Sequence, residues 1–275
     1  AARPSQPALV ALTMLGLGVA GAVSPYLGAA LKGIDPRWPF ALSSAALVAT
    51  TLGLVAAERA LQRARDAAPA SASADAAPSQ PLRLPWAPCL VAAVLAALAF
   101  QVHVFLNSTP LYLRHATAAE LQHLAPVFWV GFNLGLWPAS VATKRHGGIV
   151  VMGAAGVAAA LAAALAVAAG SLGVLLAAQA LAGLAWAAVL MSAFSAALAL
   201  GHTGAEGRFS GALSSTLALS ALLRMGLVAG GIAALPRDGA LRTAVDWLPA
   251  TLWLAAGLVL LGLWRRRPVT AGTAA

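Results

Sequence analysis

Eight long apolar runs follow one another along this chain, with limits near 8–31, 38–58, 86–109, 121–143, 148–168, 171–200, 208–235 and 245–264. A hydrocarbon core about 30 Å thick needs roughly 20 residues of helix to cross it. Each run meets that length. None alternates with period two, so closed-barrel strands are a poor fit and helices are expected. Ala, Leu and Gly dominate the runs, which suits close helix-to-helix approach in lipid. Composition agrees: 61% of the residues are hydrophobic and only 9% are charged, with a mean hydropathy of +0.85. Soluble domains carry roughly 25% charged residues. The fold class expected is therefore an all-α integral membrane protein with about eight transmembrane helices.

The net charge of +9 raises the question of nucleic acid. Its distribution answers against that partner, because the cations sit between apolar runs and form no basic face. They read instead as topology signals. With the N-terminus in the cytoplasm, 11 Lys and Arg fall inside and 5 outside, with Arg224 left within a run. Both termini are therefore expected in the cytoplasm. The lone Cys89 forms no internal disulfide and matches no metal spacing. There is no cofactor motif, and no G-x-x-x-x-G-K-[ST] phosphate loop to support ATP drive. The opening "AARPSQP" runs straight into a full-length apolar segment without a signal-peptide pattern. That points to an internal start, and so to a fragment or a processed product.

Between the second and third runs lies "RDAAPASASADAAPSQP", residues 65–81. It is rich in Ala, Ser and Pro, has no periodicity, and is the one long linker. The organisation expected is residues 1–60 as two helices, 61–85 as a cytoplasmic linker, 86–268 as a six-helix bundle and 269–275 as a cytoplasmic tail.

The stretch "STLALSALLRMGLVAGGIAAL" carries Arg224 inside apolar sequence. Arginine stays charged, and a cation at a helix centre costs at least about 2.5–3.5 kcal/mol on insertion scales. Thr216, Ser220 and Arg224 recur at i, i+4, i+8 and share one helical face. Such a face should meet the bundle interior or an aqueous cavity, where Arg224 would attract an anionic group or balance a carboxylate. The bland alternative is a cation paired with helix-end carbonyls or snorkelling to water. All eight acidic residues lie in loops or at run ends, so no buried acidic partner is evident.

Other polar residues repeat at helical spacing. Trp129, Asn133 and Trp137 place two indoles around one amide, suited to a solute cavity. Against this, Trp137 also fits an aromatic-belt anchor and Asn133 an interhelical hydrogen bond. His103 and Asn107 share a face of the run 86–109. Histidine titrates near neutral pH, so His103 is a candidate for proton coupling, or else a hydrogen-bonded packing residue. Gln101 is a similar, weaker candidate. Trp186, Ser192 and Ser195 are possible cavity residues, although helical Ser often bonds its own backbone.

The segment "VAGAVSPYLGAALKGIDPRWPFALSSAALV" resembles the fifth and sixth helices of a major facilitator superfamily transporter. In that family the fifth helix often ends in Gly-Pro-x-x-Gly-Gly, a motif associated with antiporters; here it reads Ser24-Pro25-x-x-Gly28-Ala29. The linker falls where the family joins its two six-helix bundles, and the six runs from residue 86 look like its C-terminal bundle. "SVATKRHGG" is similar to the family's cytoplasmic gate loop. Arg145 and Gly147 match, whereas Lys144 replaces an acidic residue. The resemblance implies alternating access for a small solute with a proton as coupling ion, tilted to efflux by the Ser24-Pro25 motif. The runner-up it allows is uptake of an organic anion at Arg224. It also implies that helices one to four are absent, so missing helices or a partner chain would be needed for activity. A truncated, non-transporting membrane protein is the third possibility. The alanine- and arginine-rich bias points to a bacterial inner membrane.

Two enzyme or cofactor classes fit poorly. "HVFLN" has the His-x-x-x-Asn spacing of rhomboid proteases, but "GRFSG" does not supply their Gly-x-Ser-Gly nucleophile. Haem would need axial histidines within spans, and only His103 lies well inside one.

Overall fold

The computed structural model describes residues 6–66, 86–200, 206–232, 235–236 and 239–265. Among them the chain is helical and contains no strand. The elements are α1 (Gln6–Ile34), α2 (Trp38–Asp66), α3 (Trp86–Val102), a π-helical turn (His103–Asn107), α4 (Ser108–Tyr112), α5 (Leu121–Leu124), α6 (Pro126–His146), α7 (Gly148–Val167), α8 (Leu172–Leu200), α9 (Glu206–Ala229) and α10 (Ala240–Arg265). Eight helical stretches among the described residues are long and apolar enough to cross a membrane, α3 through α4 forming one and α5 with α6 another. Most of the expected linker, from residue 67 on, lies outside the described residues, as does the expected tail.

Contacts divide the chain into two compact units, Ala1–Val23 with Pro81–Ala275, and Ser24–Gln80. The second unit holds the end of α1 and all of α2. Arg37 N–H donates to Asp35 Oδ1 at 2.7 Å, closing the turn between them. Along α2, Thr50 and Thr51 return their hydroxyls to the carbonyls of Ala46 and Leu47, so neither carries an unmet donor into lipid. Ser24, Pro25 and Gly28, the degenerate motif, lie in this unit. A Cβ built on Gly28 meets nothing within 4 Å, so no close packing demands a glycine there.

In the first unit α8 is the central helix, with α6 and α7 against it; α10 packs on α7 and α3, and α9 on α3 and α8. The core is mostly alanine, with Phe100, Phe128, Phe132, Trp186 and Trp253 among its larger side chains. Alanine fills little space, so the helices must approach closely. A Cβ on Gly183 of α8 would lie 1.9 Å from the Phe128 carbonyl of α6, and one on Gly257 of α10 would lie 2.8 Å from the Gly153 carbonyl of α7. These positions accept only glycine, the expected device for packing in lipid.

The eight runs and the helices coincide closely except at α2, α9 and α10: the second run reads to residue 58 and the linker from 61, yet α2 continues to Asp66 and takes in the first six residues of the expected linker. The seventh run reads to residue 235, yet α9 stops at Ala229, where Gly230 follows and Gly231 takes φ +85°. The eighth run reads from 245, yet α10 starts at Ala240. Arg242 and Asp246 thus lie in the first two turns of α10 and not in a loop and at its edge. They are spaced i, i+4 and form an ion pair, which lets the helix extend through two charged residues.

In the loop before α5, Thr117 N–H and Oγ1–H each donate to Glu120 Oε2 at 2.8 Å. The backbone bond first, and the hydroxyl second, hold the Glu120 carboxyl below its ordinary range.

Candidate functional site

Three polar groupings converge on the π-helical turn His103–Asn107. A π turn inserts an extra residue and widens the helix, and such turns often mark functional positions. Here it faces successive side chains toward α8, α9 and α10.

His103 points inward and is fully buried. Its Nε2 lies 3.0 Å from Gln179 Oε1 of α8, and its ring sits 5.3 Å from the Trp253 ring of α10. Gln179 Oε1 only accepts, so in this arrangement His103 Nε2 carries the proton. Gln179 Nε2 and Trp253 Nε1 are buried with no hydrogen-bond partner. Unmet donors in such a place are costly, so this buried cluster holds polar capacity that packing alone does not use.

Asn107 faces α10. Its Nδ2 donates to the carbonyls of Val245 at 2.9 Å and Asp246 at 3.3 Å, and its Oδ1 accepts from Arg242 at 3.0 Å. Asp246 is 5% exposed and Arg242 7%. Asp246 Oδ1 accepts from Arg242 at 2.5 Å, and its Oδ2 accepts from Arg114 at 2.8 Å. Arg114 also donates to the Val167 carbonyl at the end of α7, at 3.2 Å. One carboxylate therefore binds two guanidinium groups, and the network ties the α4 end, α7 and α10 together. Sequence reading missed it: Arg114 and Arg242 read as loop cations, and Asp246 as a run-end acid. The one available signal was the Arg-x-x-x-Asp spacing.

Arg224 completes the set. It is half-buried on α9. Its Nε–H donates to Gln101 Oε1 at 3.0 Å, and its Cζ stands 4.8 Å from the centre of the Phe105 ring. Among the described residues Arg224 has no ion pair, since both salt bridges go to Asp246. Thr216 and Ser220 lie buried on the same face, but their hydroxyls return to the carbonyls of Ala212 and Thr216. Their donors are already satisfied.

The remaining candidates separate. Trp129 packs edge-on against Phe100, Phe128 and Phe132. A Cβ on Gly21 of α1 would touch its ring at 2.2 Å, and one on Gly18 would touch Asn133 Oδ1 at 2.1 Å. Asn133 Oδ1 is buried without a partner. Trp137, by contrast, is 75% exposed on the outer surface. Trp186 lies in the core, stacked on Phe100 with ring centres 4.5 Å apart and planes 4° from parallel. Ser192 bonds back to the carbonyls of Ala188 and Val189, whereas Ser195 Oγ is buried and unpartnered. Lys144 and Arg145 are exposed in the last turn of α6, where cations complement the helix dipole. Gly147 then breaks the helix with φ +83°, a conformation that favours glycine.

The chain is thus an all-helical, multi-pass membrane protein with ionisable and amide side chains gathered at one widened turn. No known protein-family model, no curated protein and no solved structure matches it.

Proposed function

We propose that this protein is a secondary active transporter that moves a small solute by alternating access, with a proton as coupling ion. The observation that carries the reading is the π turn, which interrupts an apolar span and gathers His103, Asn107 and the Arg224 contact around it. Transporters typically bind solute where spanning helices depart from regular geometry within the bilayer. Polar side chains inside spans are costly and by default functional. His103 is the coupling residue in this reading, and the Ser24-Pro25-x-x-Gly28 segment tilts the direction to efflux. The likeness to the major facilitator superfamily rests on the residues quoted for it, and supplies the two-bundle rocking motion, for which further helices or a partner chain would complete the second bundle. The protein works in a cell membrane, a bacterial inner membrane by composition, with both termini in the cytoplasm.

A second reading is uptake of an organic anion. It is favoured by Arg224, a cation inside a span without a carboxylate partner among the described residues.

The test uses protein purified from its source membrane, with any polypeptide that accompanies it, in sealed vesicles. His103→Gln should abolish the acceleration of solute flux by a pH gradient and leave solute counterflow in place. Gradient-driven flux equal to wild type would remove His103 from coupling.

A further inference from the structure

We propose that Gln101 and Phe105 hold Arg224 as a bidentate receptor for the carboxylate of a small amphiphilic organic anion. A guanidinium has five N–H donors and two edges that accept a carboxylate side by side. Gln101 takes Nε–H, and the guanidinium carbon stands over the Phe105 ring. The hydrogen bond and the ring together restrain the guanidinium on one edge and one side. The end-on edge, Nη1 with Nη2, has no protein partner among the described residues, and none of its atoms is sealed from the surface. Asp246, the one buried acid among the described residues, is already taken by Arg114 and Arg242.

The surroundings set the rest of the ligand. Phe105 is 51% exposed, and Leu223 beside Arg224 is exposed as well. Thr216 and Ser220 are turned to their own helix and offer the ligand no donor. A carboxylate on an apolar or aromatic body matches such a place: the head meets the fork and the body lies on Phe105. A polyhydroxylated anion would find few partners. A membrane phospholipid presents the same oxyanion chemistry through its phosphate, so the test must separate the two sources. The inference stands on the transport reading only for what happens to the anion after it binds.

The experiment follows binding of 4-fluorobenzoate by fluorine NMR to the protein in nanodiscs of phosphatidylcholine, with and without phosphatidylglycerol. Wild type should bind saturably in both lipids. Arg224→Lys keeps the charge but loses the fork, and should weaken binding tenfold or more. Gln101→Glu should weaken it similarly, because a carboxylate from within then occupies the guanidinium. Thermal unfolding checks that both variants are folded. Gln101→Leu serves if Gln101→Glu is not, and should weaken binding as well by freeing the guanidinium. Binding by Arg224→Lys equal to wild type overturns the bidentate geometry. Displacement of the probe by phosphatidylglycerol alone, or no saturable binding, overturns the solute assignment and leaves a lipid-facing cation. Saturable binding without any flux of the probe in vesicles would keep this site and count against transport. Proton-linked flux of other solutes by an Arg224→Lys protein, with wild-type probe binding retained, would keep transport and remove this site.

Discussion

Asp246 shows how one residue can be invisible in sequence and central in structure. It lies at the edge of an apolar run, yet it is buried and holds Arg242 and Arg114. The two arginines differ in environment, and so should their substitutions. Asp246→Asn strands Arg242 in a buried site, and breaking such a pair costs about 3–5 kcal/mol. Arg114 is 42% exposed, so Arg114→Ala should cost only about 0–1 kcal/mol. Thermal unfolding in detergent separates the two: a large fall for Asp246→Asn and a small one for Arg114→Ala. Equal effects would mean that the network does not bear the load that its burial implies. His103 and Asn107 were legible as polar residues on one span face, because polar side chains stand out against apolar sequence. Their partners were not legible. Gln179 and Arg242 lie 76 and 135 residues away, and only the packing of α8 and α10 against the turn brings them near.

At the scale of elements, existence was easier to read than boundaries. Length and apolarity alone located all eight spans, because the bilayer thickness fixes a minimum run. The end of α9 and the start of α10 were misread by several residues: apolarity continues past Gly230 and Gly231, where the helix stops, and hydropathy treats Arg242 as a loop residue while its ion pair with Asp246 lets it enter a helix. The π turn also left no trace in sequence, since apolar content does not report helical pitch. Helix packing follows from glycines that hydropathy cannot rank. Gly183→Leu pushes a side chain into the Phe128 carbonyl and should destabilise the bundle by at least about 1–3 kcal/mol. Gly28→Ala meets open space and, by removing a flexible residue from a helix, should be neutral or stabilising by about 0.5–1 kcal/mol. Unfolding midpoints of the two variants check both signs.

For the whole molecule, the account needs a definite topology. Lys144 lies in the last turn of α6, and Arg114 precedes α5, at opposite ends of one span. In a Cys89→Ser background, a cysteine at Lys144 should resist a membrane-impermeant maleimide added outside intact cells, and a cysteine at Arg114 should react. The reverse pattern would place the termini outside and overturn the charge-based orientation. The central claim is transport itself, and the most direct measurement is flux. Protein from its source membrane is sealed in vesicles, a pH gradient is imposed, and labelled cationic, neutral and anionic solutes are offered in turn. The account predicts saturable flux of at least one solute above empty vesicles, lost when the gradient is dissipated. Flux no greater than in empty vesicles for every solute, from protein that is folded and correctly oriented, would contradict it.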